Sequence, residues 1–156
     1  MSQMDREFDV IVFGATGFTG YLTAEYLLNQ YGLGDDLRWA IAGRSPEKLD
    51  NTRARLQTDT GVDTTSLSTL VADASDLELM RDLASRTHVV CTTVGPYALY
   101  GSQLVEACAL TGTHYCDLTG EVHWIRRMID QHHETAASNN ARIVFTCGFD
   151  CIPADL

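Results

Sequence analysis

Positive charge is scarce in this chain. It carries 11 Lys and Arg against 21 Asp and Glu, for a formal net charge of −10. A chain of that sign without a basic patch is a poor partner for nucleic acid or an anionic membrane. Any anionic ligand must therefore be held locally, by backbone N–H groups and a few arginines. Long apolar runs are also missing. No stretch approaches the ~20 residues needed to span a bilayer, and the opening residues 1–7 are too polar for a signal peptide. A cytoplasmic location is the expectation.

Metal and disulfide patterns are absent too. The 5 cysteines, Cys91, Cys108, Cys116, Cys147 and Cys151, are odd in number and contain no Cys-x-x-Cys spacing. They read as reduced, mostly buried thiols. His132 and His133 are adjacent, so they point apart on a helix, and His123 is too far back to complete a ligand set; no metal is expected. No Gly-x-Ser-x-Gly, His-Glu-x-x-His or Walker-type lysine loop occurs. Lys48 is the only lysine, which removes the Tyr-x-x-x-Lys arrangement of short-chain dehydrogenases. There is no internal repeat and no low-complexity segment.

What is present is a glycine loop between two strongly patterned segments. Residues 8–13 are a short apolar, β-branched run that reads as a buried parallel strand. Gly14, Gly17 and Gly20 follow, with Ala15, Thr16, Phe18 and Thr19 between them. Residues 21–30 then show helical periodicity, with Leu22, Tyr26, Leu27 and Leu28 as the inward set. Strand, glycine turn and helix form the context of a dinucleotide-binding fingerprint. Gly14 allows the tight turn, Gly17 the approach of a pyrophosphate, and Gly20 close packing of helix on strand. The first gap holds two residues instead of one, a longer form similar to that of short-chain-dehydrogenase-type and saccharopine-dehydrogenase-type domains.

The remaining chain alternates. Further strands are expected at residues 37–43, 66–72, 88–93, 114–118 and 141–146. Helices are expected from Ser45-Pro46 to about residue 58, from a Ser75–Glu78 capping box to about 86, from 101 or 102 to Gly112, and over 121–139. In the third of these Leu104, Val105, Cys108 and Ala109 or Leu110 face the sheet; in the last, Val122, Ile125, Met128 and Ile129 share a face. Six strands alternating with five helices give an α/β, Rossmann-type, doubly wound parallel sheet of order 3-2-1-4-5-6. Residues 1–147 form the dinucleotide-binding domain, and 148–156 read as an exit segment.

Ligands in such folds sit beyond the carboxyl ends of the strands. Strand two ends at Gly43-Arg44, with Lys48 one turn on, where an NAD-specific site would place an acid. Asp35 and Asp36 precede that strand, at the wrong end. A guanidinium suits a 2′-phosphate, so NADP(H) is preferred over NAD(H). Asp73, ending strand three, is a candidate acceptor from the adenine amine or else a loop residue beside Ser75. Thr93, Val94 and Gly95 turn near the nicotinamide ribose. Tyr97 is a weak catalytic candidate, able to cover the nicotinamide or donate a proton, or else an aromatic packed under the loop. Asp117 and Glu121 flank a glycine at the end of strand five, and there a strand-end acceptor and a helix-start acid are favoured over a catalytic pair.

Taken together, the run Gly14–Gly20, Ala42-Gly43-Arg44, Thr93–Tyr97, Tyr115–Glu121 and Cys147–Leu156 resembles the amino-terminal part of saccharopine-dehydrogenase-like oxidoreductases, with trans-acting enoyl reductases as the nearest subgroup. The resemblance implies the cofactor domain of a longer NADPH-dependent enzyme that reduces an activated double bond of a lipid or polyketide intermediate beside a polyketide synthase. A non-catalytic NADP sensor is the alternative. A free edge at strand three or six leaves room for a homo-oligomer.

Overall fold

The computed structural model describes residues 6–34 and 36–155. Asp35 and Leu156 lie outside them. The elements run β1 (Phe8–Phe13), α1 (Phe18–Tyr31), β2 (Trp39–Gly43), α2 (Pro46–Thr60), β3 (Ser68–Val71), α3 (Leu77–Ser85), β4 (Thr87–Thr92), α4 (Tyr97–Tyr100), α5 (Ser102–Thr111), β5 (His114–Cys116), α6 (Val122–Ser138), β6 (Ile143–Val144) and α7 (Ile152–Asp155). The six strands form one sheet of order β3-β2-β1-β4-β5-β6, parallel throughout. The expected topology is borne out. β1 is central, and its carboxyl end opens into the glycine loop.

Alternation along β1 feeds two cores. Ile11 and Phe13 point to the layer carrying Met80, Leu83, Leu104, Cys108, Trp124 and Met128 of α3, α5 and α6. Val12 points to the opposite layer, with Ala24 and Leu28 of α1 and Leu49 and Leu56 of α2. In register, Val12 is followed across the sheet by Cys91, Cys116 and Val144. In-register residues of parallel strands share a face, so these three continue the Val12 face. No buried residue of β4, β5 or β6 joins the core on that side among the described residues.

Several local expectations are corrected. α1 buries Gly20, Tyr21, Ala24 and Leu28, while Leu22 is 44% and Tyr26 59% exposed. Gly20 packs directly on the backbone of Gly14 and Ala15, and this contact sets the helical phase. Leu22 and Tyr26, two residues off the Gly20–Ala24 stripe, are rotated by roughly 200° to the outside. In α6 the buried stripe is Trp124 and Met128, with Ala136; Val122 and Ile129 are exposed. The Trp124 indole packs against Tyr97 and Phe145 and donates to Ser102 Oγ at 3.0 Å, which turns the helix toward that side.

The α3 cap is Asp76, not Ser75. Its carboxylate accepts from the N–H groups of Glu78 and Leu79. Ser75 is held by Asp73, whose Oδ1 accepts its N–H at 2.9 Å and hydroxyl at 2.7 Å. The expected Val94–Tyr97 turn runs into a further short helix, α4. β1 has the expected bounds and β4 the expected length, shifted by one residue, whereas β2, β3, β5 and β6 are shorter than expected, β6 most of all. The thiols are not mostly buried: of the free cysteines only Cys108 is buried, and Cys147 is exposed. No group of three or more His, Cys, Asp or Glu among the described residues could hold a metal, and no described helix is long and apolar enough to cross a membrane.

Candidate functional site

Two clefts lie over the carboxyl edge of the sheet, one on each side of the glycine loop. The first, about 330 Å³, is lined by Gly14, Thr16, Gly17, Gly43, Arg44, Asp73, Thr93, Val94 and Gly95, with Phe13, Ala72, Ala74 and Tyr100. Nine of the residues singled out in the sequence thus converge here. The second, about 300 Å³, includes Thr19, Thr23, Cys91, Cys116, Asp117, Cys147 and Phe149. Thr93 borders both clefts.

The three loop glycines have different physical reasons. Gly14 has φ +94°, and an added Cβ would lie 2.7 Å from Val94 Cγ2 and 2.8 Å from Thr93 Oγ1. It must be glycine for backbone conformation and for space. Gly20 is excluded from carrying a Cβ by backbone: Ala15 Cα would be 2.8 Å away and the Gly14 carbonyl carbon 2.7 Å. Gly17 is constrained by neither. Its backbone is extended, φ −88° and ψ 170°, and the nearest atom to an added Cβ is Gly14 O at 3.5 Å, an ordinary contact. Among the described residues, nothing requires glycine at 17; the space beside it belongs to the cleft. Gly17 is also the N-cap of α1, with no side-chain cap and no acid in the first turn. The N–H-rich positive end of a 14-residue helix is therefore presented bare, the arrangement that receives phosphate. These features fit a dinucleotide.

The other candidates divide. Arg44 is exposed at the cleft rim and lies close enough to Asp73 to help lower its pKa, after the hydrogen bonds from the Ser75 hydroxyl and N–H. Lys48 is exposed and does not line the cleft; its N–H is taken by the Ser45 cap. Ala15 is fully buried in the Val12 core and Phe18 is 83% exposed; neither lines the first cleft. Tyr97 lies in the core, 6% exposed. Its hydroxyl donates to the Thr92 carbonyl at 3.2 Å, and burial pushes its pKa up to about 12. Tyr100, one turn further along α4, reaches the cleft, as does Phe13 at the end of β1. The sequence reading missed Tyr100 as a site residue, together with Phe13, Ala72 and Ala74. The signal for Ala72 and Ala74 was that small residues flank Asp73, which leaves room above β3.

Asp117 and Glu121 are both used inside the protein. Glu121 accepts from the N–H groups of Tyr97 at 2.6 Å and Ala98 at 2.9 Å, capping α4 across a sequence gap and thereby placing Tyr100. Asp117 is buried. It accepts from the Tyr115 hydroxyl at 2.7 Å and from the N–H groups of Thr119 at 3.1 Å and Thr146 at 3.0 Å. Burial raises its pKa, against the pull of those bonds. Thr146 sits at φ 60°, unusual for a β-branched residue, and Cys147 N–H donates to the Asp117 carbonyl at 2.7 Å. Asp117 thus fastens the exit from β6 to the end of β5.

A glycine loop on the central strand of a 3-2-1-4-5-6 parallel sheet, open at the switch point between β1 and β4, defines a dinucleotide-binding domain of the Rossmann class. Residues 10–144 match the family model of the saccharopine dehydrogenase NADP binding domain, and the chain belongs to that family. The chain is 50% identical over 156 residues to a trans-acting enoyl reductase of Mycobacterium leprae (strain TN) and 48% identical to one of Mycobacterium tuberculosis (strain ATCC 25618 / H37Rv). In each case 100% of this chain is covered, and it spans 36% of the length of the relative. Among solved structures it is similar in fold to apo saccharopine dehydrogenase (L-Glu forming) from Saccharomyces cerevisiae. That match has a TM-score of 0.67 and 15% identity, covering 92% of this chain and 28% of the other. It is likewise similar to the Citrobacter sp. triphenylmethane reductase complexed with NADP(H), with a TM-score of 0.61 and 17% identity, covering 88% and 48%. The expected family and the NADP(H) cofactor class are borne out.

Proposed function

We propose that this chain is the NADPH-binding part of an enoyl reductase that saturates an activated double bond in a lipid or polyketide intermediate, working beside a polyketide synthase. The observation that carries the cofactor half is Gly17, a glycine that the protein's own packing does not require, at the mouth of a helix whose amino end is uncapped. The relatives named as trans-acting enoyl reductases support the reaction class. The bound nicotinamide supplies the hydride. The protein's part is to hold the pyrophosphate at Gly14–Gly20, to position the adenosine half between Gly43-Arg44 and Ala72-Asp73-Ala74, and to direct the nicotinamide half past Thr93 toward the second cleft. Tyr100 is an aromatic placed to border the cofactor.

Residues 148–156 lead toward a substrate-binding part in this reading. Phe149 is 87% and Ile152 46% exposed, an apolar pair suited to packing against further protein. Hydride transfer needs acceptor and nicotinamide ~3–3.5 Å apart, and the orientation term of ~7–11 kcal/mol requires a pocket for the acceptor. The expected result is that this 156-residue chain binds NADPH without turnover, while a longer polypeptide containing it oxidises NADPH in the presence of enoyl thioesters. Equal turnover by both would overturn the division of labour. Absence of turnover by the longer polypeptide, with NADPH binding intact, would favour a sensor.

Arg44 is proposed as the reader of the 2′-phosphate. A hydrogen bond to a charged group contributes ~1.5–3 kcal/mol, so Arg44→Ala should weaken NADPH by ~1–2 decades at ~1.4 kcal/mol per decade. NADH affinity should hardly move. Titration calorimetry with both cofactors checks this, and equal losses would assign Arg44 another role.

A further inference from the structure

The second cleft holds three thiols, those of Cys91, Cys116 and Cys147. Two of them are neighbours by construction of the sheet. Cys91 on β4 and Cys116 on β5 are paired in register, so their side chains leave the same face of adjacent strands. Adjacent strands run about 4.8 Å apart, within the ~4.4–6.8 Å Cα separation that a disulfide spans. We propose that Cys91 and Cys116 form an oxidisable dithiol, a peroxide-reactive modification site at the carboxyl edge of the sheet.

Access and partner choice follow from the fold. Among the described residues, Cys91 and Cys116 line a cleft with Thr19 and Thr23 of α1, and both are partly exposed. Cys147 shares the cleft, but its sulfur is turned to the carbonyls of Val144 and Phe145 at 3.6 and 3.7 Å. Cys108 is fully buried on the opposite core, where desolvation raises its pKa and disfavours the thiolate. Beside Cys116 the Cys91 pKa is lowered. In the proposed order Cys91 is the nucleophile and Cys116, its neighbour in register, the resolving thiol.

With hydrogen peroxide as oxidant, the Cys91 thiolate attacks one peroxide oxygen. An S–O bond forms, the O–O bond breaks, and the leaving hydroxide takes a proton to become water. Cys116 sulfur then attacks the Cys91 sulfenic acid sulfur, losing its own proton. The S–S bond forms, the S–O bond breaks, and a second water leaves. Two thiols are oxidised and one peroxide is reduced to two waters.

The test is peroxide treatment of the folded chain, quenching with catalase, alkylation and chymotryptic mass mapping. Cleavage at Tyr97, Leu110 and Tyr115 separates the three cysteines of the segment. The expected result is loss of two of the 5 thiols, a Cys91–Cys116 cross-linked peptide, and Cys108 alkylated only after denaturation. Cys116→Ser should stop the reaction at a Cys91 sulfenic acid that dimedone traps. A cross-link to Cys147 instead, or thiols that survive peroxide, would overturn the pair in the wild-type protein alone. So would an undiminished rate of thiol loss in Cys91→Ser.

Discussion

Gly17→Val is expected to lose NADPH binding while keeping its fold. The valine branches would occupy the space beside the loop that no protein atom fills, since the nearest neighbour of even the first carbon is at 3.5 Å. Displacing a pyrophosphate from two charge-assisted hydrogen bonds costs roughly 3–6 kcal/mol, or ~2–4 decades in affinity. The cost to stability is smaller. The backbone at 17 is extended, and exchanging a glycine N-cap for valine costs up to ~1 kcal/mol, or ~2–4 °C in melting temperature for a chain of this size. Titration calorimetry with a thermal melt separates the two effects. Binding at wild-type strength would remove the loop from the cofactor site.

Gly20→Ala should do the opposite, although it is the smaller substitution three residues away. A glycine inside a helix is ordinarily improved by alanine, by ~1 kcal/mol. Here the new Cβ would press into the carbonyl of Gly14 and stand 2.8 Å from Ala15 Cα. These are backbone atoms of a loop held by the Gly14 N–H to Ala42 carbonyl bond at 2.9 Å and the Gly17 N–H to Gly14 carbonyl bond at 3.0 Å, so no rotamer change relieves the clash. Overpacking costs ~1–3 kcal/mol where side chains can adjust; against fixed backbone we expect at least the upper figure. The net loss is then ~2 kcal/mol or more, a fall of ~4–8 °C on the same scale. Thermal melting followed by circular dichroism measures it, and an increase in melting temperature would show that α1 can slide away from the loop.

The contrast between these two glycines shows how far a sequence can be read. Their spacing and their place between an apolar strand and a helix announced a dinucleotide loop. Which glycine serves the ligand and which serves the packing is a matter of distances, and only the folded backbone supplies those. The same division holds for the carboxylates. Asp117 and Glu121 could be suspected at a strand end and a helix start. That Glu121 reaches across to cap α4, and that Asp117 fastens the backbone after β6, depends on segments brought together from 24 and 29 residues away.

By itself the sequence determined the order of strands, because alternating apolar runs and helices with right-handed crossovers leave few topologies. It also determined the position of the cofactor loop and the candidate cation at the end of β2, since both follow from chain direction in a parallel sheet. The tertiary structure decided helix phase, because the contact of Gly20 with the loop and the bulk of Trp124 outweigh the local apolar pattern of α1 and α6. It decided which tyrosine reaches the cleft, since α4 buries Tyr97 and presents Tyr100 one turn on. It also decided the pairing of Cys91 with Cys116, which are 25 positions apart in the chain and adjacent in register. Periodicity reports which side of an element is apolar; contacts between elements decide which side faces what.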